Sequence, residues 1–135
     1  MYGKRGILAQ YRQTHSAAAD DDPHRLIALL LAGVIEQVRG AGACIAQGDV
    51  PGKLAAIRRA LDILDGLRLS LDHQAGGEIA RGLDSLYEYA SLRLVEANLN
   101  DDTARLQEVE SLLAEIESAW LAIPQQLQTA GGSHG

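Results

Sequence analysis

The chain lacks phenylalanine altogether and holds one tryptophan, one methionine and one cysteine in 135 residues. A single cysteine excludes an internal disulfide, and Cys44 lies inside a helical pattern, where a small buried thiol is the expected reading rather than a nucleophile. Basic residues are scarce, 12 Lys+Arg against 18 Asp+Glu for a net charge of −6, which argues against nucleic-acid binding because that depends on clustered cations over phosphates. Arg58-Arg59, the basic doublet within a helical pattern, reads as a solvated face. The longest apolar run, ending at Ala32, falls far short of the roughly 20 residues that span a bilayer. The first residues carry Lys4 and Arg5 but no apolar block of sufficient length follows, so no signal peptide is expected and a cytoplasmic location is.

What the chain does contain is helical periodicity. Asp22-Pro23 is a helix start: the aspartate accepts bonds from free amides of the first turn, and proline at the first position gives up no needed donor. The spacing predicts a first helix over Pro23–Gln47 with Leu26, Ile27, Leu30, Val34, Val38, Ala41, Cys44 and Ile45 on one arc, widened by Leu31 and Ile35. Gly48-Asp49-Val50-Pro51 closes it and opens a second helix reaching about Asp72, with a seam of Leu54, Ile57, Leu61, Leu64 and Leu71 flanked by Ala60, Ile63 and Leu67. Arg68 projects within that seam and is expected to snorkel or to meet a carboxylate.

His73–Gly77 reads as a turn, and the long segment after it carries Ile79, Leu83, Leu86, Tyr87, Ala90, Leu94 and Ala97 on one face. Tyr87 and Tyr89 stand about 200° apart on that helix, so one core cannot take both. The fourth helix, from Thr103 to about Ile123, has the cleanest heptads, Leu106, Val109, Leu113, Ile116, Trp120 and Ile123, and Pro124 ends it. Short turns between helices of this length force antiparallel neighbours. The expectation is all-α, an antiparallel up-down-up-down four-helix bundle over 22–124, preceded by a short N-terminal arm or extra helix over 1–21 and followed by a polar tail over 125–135.

Chemistry is hard to find. Arg12, Asp21, Ser70 and Gly131 stand three residues before His15, His24, His73 and His134, so the Glu-x-x-His pairs of metal-binding bundles are missing. No histidine lies in a helix middle as a phosphotransfer site requires, and nothing marks a nucleophile turn. No catalytic residue, metal or cofactor is expected. Apolar surface, by contrast, exceeds one stripe per helix: Ile63 and Leu67 flank the second seam, and Tyr89, Leu92 and Leu99 lie off the third. Such a surplus serves a partner, as in helix-in-groove recognition, or else a wider core, a symmetric dimer or cover by the arm.

The pieces Asp22-Pro23-His24-Arg25-Leu26-Ile27, Leu67-Arg68-Leu69-Ser70-Leu71-Asp72, Gly76-Gly77-Glu78-Ile79-Ala80, Leu83-Asp84-Ser85-Leu86-Tyr87-Glu88-Tyr89, Ala97-Asn98-Leu99-Asn100-Asp101, and Glu108-Val109 with Ala119-Trp120 follow one another in a telling order. So arranged, the chain resembles the flagellar export chaperone FliS family from about Tyr2 to Ile123. The resemblance implies a cytoplasmic helical bundle, not an enzyme, that binds the C-terminal segment of newly made flagellin. It would keep that segment unpolymerised and deliver it to the flagellar type III export machinery. Export-gate components or a co-chaperone are further candidate partners, and a self-associating bundle, a homodimer without a peptide client, is the alternative.

The resemblance also implies that the N-terminal segment packs over part of the binding surface through the tyrosine matched by Tyr11, with Tyr2 and Ile7 as further anchors. The expected flagellin-contacting residues are Ile7, Tyr11, Ile63, Leu67, Leu71, Tyr89, Leu92 and Leu99. Where the family often carries an aromatic or Met, this chain has Leu30 or Leu31 and Ala90, implying a more aliphatic contact surface.

Overall fold

A computed structural model of the protein describes residues 22–123. They form four helices, α1 (Pro23–Gln47), α2 (Val50–Leu69), α3 (His73–Asn100) and α4 (Thr103–Ala122). Each begins on an aspartate, Asp22, Asp49, Asp72 or Asp102, whose carboxylate accepts from one or two free amides of the first turn at 2.9 to 3.2 Å. The connections are tighter than the sequence suggests because the helices run into the expected turns. His73–Gly76 is helical, and the chain then breaks at Gly77, where φ 51 and ψ −122 are open only to glycine. Gly48 (φ 72) and Asp101 (φ 49) end α1 and α3 in the left-handed region.

Sequential helices pack as antiparallel neighbours, and α4 returns to α1, closing a ring in which α1 packs most extensively on α2 and α3 least on α4. This is the up-down-up-down four-helix bundle. Its core holds Leu30, Leu31, Val34, Val38, Ala60, Leu64, Leu67, Ala90, Leu94, Val109 and Leu113, all buried. The length and hydropathy of α1 would suffice for a bilayer, but its apolar side chains Leu26, Leu30, Leu31, Val34, Ile35 and Val38 are packed inside the bundle.

Polar ties fix the registers. Lys53, itself buried, donates from Nζ to Asn98 O at 3.1 Å and to Asp101 Oδ1 at 2.7 Å, joining the start of α2 to the end of α3. At the opposite end Arg68 reaches Asp84 through Nε (2.7 Å) and Nη2 (3.1 Å), a two-pronged bond that holds the Asp84 carboxyl below its ordinary range. Arg39 pairs with Glu110 at 2.6 Å between α1 and α4.

His24 and Trp120 close the ring where the described chain begins and ends. Their rings stack with centroids 4.8 Å apart. Trp120 Nε1 donates to the His24 carbonyl at 2.8 Å, and His24 Nε2 donates to the Trp120 carbonyl at 3.0 Å. A carbonyl only accepts, so Nε2 carries a proton. His24→Ala should lower stability by about 1–3 kcal/mol, by losing the stack and one of the two donors to the Trp120 carbonyl, which keeps the Ile123 amide. Urea unfolding followed by the fluorescence of the lone tryptophan checks this, with helicity retained before the transition.

Candidate functional site

The seam between α3 and α4 is closed along one half only. Toward the α3–α4 turn, Arg105 Nη1 meets Glu96 Oε1 at 3.2 Å and Arg93 Nε lies 3.6 Å from Glu108 Oε1. Tyr89 donates its hydroxyl hydrogen to Glu108 and receives the Arg93 Nε–H at 3.0 Å. Counting outward in the same antiparallel register, Leu86 comes opposite Glu115, Gly82 opposite Ala119 and Ile79 opposite Ala122. Two of those three pairs join a residue to one too small to bridge, and a Cβ added at Gly82 would meet nothing within 4 Å. Among the described residues no hydrogen bond or ion pair crosses between α3 and α4 in this half.

The result is an open apolar groove of about 710 Å³. Ile79, Leu83, Leu86 and Tyr87 form one wall, Leu112, Ile116, Ala119 and Trp120 the other, and Leu71, Ala75 and Gly76 the end beside the Gly77 break, with Ile27 and Ile123 adjoining. Its walls run from Ala75 to Tyr87 and from Leu112 to Ile123, roughly 17 Å or three helical turns each. Ile79 is 76% exposed, although the seam of α3 places it in the core. It lines the groove with Ala119, Trp120 and Ile123 and stays largely open to solvent. Tyr87 is buried at the groove wall, and this burial pushes its phenol up to about 12 from the ordinary 10.0.

The residues expected to contact a partner do not stand together. Leu71 lines the groove. Ile63 and Leu67, expected as surplus surface, are 1% and 0% exposed, inside the core. The reason is that α2 packs against α1 and α3 at once, so its buried arc is wider than a single seam, and residues that read as surplus fill it. Tyr89, Leu92 and Leu99 are exposed at 38%, 61% and 76%, but none lines the groove. Tyr89 serves the Arg93–Glu108 tie, while Leu92 and Leu99, with Val95, make a stripe on the outer face of α3. Ile7 and Tyr11 lie outside the described residues, as do the arm over 1–21 and the tail over 125–135.

Sequence reasoning missed Ile79, Leu83, Leu86, Leu112 and Ile116 as groove residues. The available signal was the set of small residues Gly76, Gly77, Gly82 and Ala119 along one antiparallel pair. Arg68, by contrast, finds its carboxylate in Asp84. Cys44 is half-buried with its thiol 3.8 Å from Asp49 Oδ2, and burial raises its pKa, the opposite of what activates a nucleophile. No group of three or more His, Cys, Asp or Glu gathers as a metal site among the described residues.

Fold and groove together define the class: an all-α helical bundle whose core is left open along half of one seam. Against known proteins, the family model described as Flagellar protein FliS matches residues 6–127. The flagellar secretion chaperone FliSB of Pseudomonas aeruginosa is 43% identical over 122 residues, covering 89% of this chain and 96% of that protein. The flagellar secretion chaperone FliS of Salmonella typhimurium is 42% identical over 126 residues, covering 91% and 93%. That of Bacillus subtilis is 30% identical over 114 residues, covering 84% of each. The chain belongs to the FliS family of flagellar secretion chaperones.

Two outcomes follow from this placement. Leu67→Asp buries an unpaired charge and should unfold the bundle, costing about 4 kcal/mol or more, whereas Leu92→Asp should leave circular-dichroism helicity intact. Tyr87 favours its neutral form when folded, so its contribution to stability is full below pH 10 and lost as pH rises toward about 12. Urea midpoints measured across that range should fall, and Tyr87→Phe should remove part of the fall.

Proposed function

We propose that this protein is a cytoplasmic chaperone for flagellin, binding its C-terminal segment in the α3–α4 groove and keeping it unpolymerised until the flagellar export apparatus takes it. The observation that carries the reading is the groove itself: an apolar trough about three turns long and open to solvent, along the most sparsely packed of the four neighbouring helix pairs. A lone soluble bundle gains nothing from leaving Ile79, Leu86 and Ile116 uncovered, whereas an amphipathic segment seated there would dehydrate both surfaces at once. Family membership supports the same client, because the relatives are named for flagellar secretion.

Masking is a mechanism without bond chemistry. The client's apolar face, which would otherwise seek other flagellin copies, is held against the chaperone's aliphatic walls. A segment disordered when free loses conformational freedom on docking, and that cost keeps the affinity moderate and the client releasable. The stripe of Leu92, Val95 and Leu99 offers a second, shallower contact for a client long enough to leave the groove and continue around α3.

Titrating a synthetic flagellin C-terminal segment into the full chain by calorimetry should give saturable binding at micromolar concentration or tighter. Ile79→Asp, at an exposed groove position, should weaken it by about tenfold or more with the fold intact, and Leu92→Asp should weaken it less. A segment that fails to bind the unaltered chain contradicts the reading.

A further inference from the structure

The charged margin of the groove is of one sign. Asp72 and Glu115 are the only residues lining it that carry a formal charge, and both are acidic. Asp72 is committed to capping α3 through the amides of Gln74 and Ala75. Glu115 is exposed and has neither a hydrogen-bond nor an ion-pair partner among the described residues.

Its position explains that isolation. Along the closed half of the seam every acid faces a base: Glu96 faces Arg105, and Glu108 faces Arg93. One heptad farther along, α4 repeats the acid as Glu115, but the opposing place on α3 is Leu86 instead of an arginine. The α4 edge is thus prepared for a cation that the chain does not supply from α3, at the point where the groove opens. A carboxylate at the lip of an apolar trough is partly shielded from water once the trough is filled, so an opposite charge brought by the occupant is attracted more strongly than on an open surface.

Resting on the reading of the groove as the client site, the geometry points to Glu115 as a specificity residue that pairs with a lysine or arginine of the bound segment. The ligand class is therefore an amphipathic helix bearing a cation beside its apolar stripe. A segment with an acid at that place meets repulsion from Glu115, with no lining base to relieve it. Apolar contact supplies most of the affinity, and the charge selects the segment and fixes its register in the groove.

The test uses the full chain and a synthetic flagellin C-terminal segment. Glu115→Gln should weaken binding about two- to fivefold and Glu115→Lys about tenfold, and both should flatten the salt dependence seen with the unaltered chain. Glu36→Lys, the same change of net charge on the exposed face of α1, should leave affinity unchanged. Replacing the segment's lysines and arginines by glutamine, one at a time, should identify one position whose loss does not add to that of Glu115→Gln. Unchanged or tighter binding by Glu115→Lys overturns this proposal and leaves the groove reading standing. Absence of binding by the unaltered chain removes both.

Discussion

A ring of four helices has four seams, and each closes only where facing side chains are wide enough to meet. Here the α3–α4 seam is the most sparsely packed of the four, tied near its turn and open beyond it. The Glu96–Arg105 and Arg93–Glu108 pairs, with Tyr89 between the helices, hold α3 to α4 near their turn. These pairs are partly exposed and individually weak, so their role is to fix register more than to supply stability. Beyond them Gly82 brings no side chain to the seam, and among the described residues no hydrogen bond or ion pair crosses it. The Gly77 break carries the first turn of α3 along one end of the opening. The groove depends on this change from charged rungs to small ones.

The consequence for function is that a binding surface is made from core-type residues without dismantling the core. Leu64, Leu67, Leu94 and Leu113 remain fully buried behind the opening, so the bundle holds its shape while Ile79 and Leu86 face solvent. The His24–Trp120 clasp lies at the same end and keeps α4 on α1, which lets the α3 side of the seam stay open. The groove is also adjacent to both ends of the described chain, since Ile27 and Ile123 line it. A surface of this kind suits holding a segment, with no reaction to be carried out on it.

Much of the fold was legible in the residues. Asp22-Pro23 and Gly48-Asp49 marked helix starts and stops because capping is a local event written in adjacent side chains. The heptads of α4 and the arc of α1 gave the fold class, and the Tyr87/Tyr89 pair split as helix geometry requires, one buried and one exposed. The candidate site was less legible. Periodicity tells which face of a helix is apolar but not whether a neighbour covers it. Ile63 and Leu67 looked surplus on a single-seam count and are core, because α2 is flanked on two sides. Ile79 and Leu86 looked like core and are uncovered, because the decisive fact is the smallness of residues on a different helix. His24 read as a helix edge, and only the ring closure by α4 brings it to Trp120.

The central claim is that the open half of the α3–α4 seam is where the client sits. Hydrogen–deuterium exchange on the full chain, with and without a saturating flagellin C-terminal segment, tests it most directly. Protection should appear in Ala75–Tyr87 and Leu112–Ile123, leaving the closed half around Arg93 and Glu108 little changed. Protection confined to other parts of the bundle, with those two stretches exchanging as in the free protein, would contradict the account.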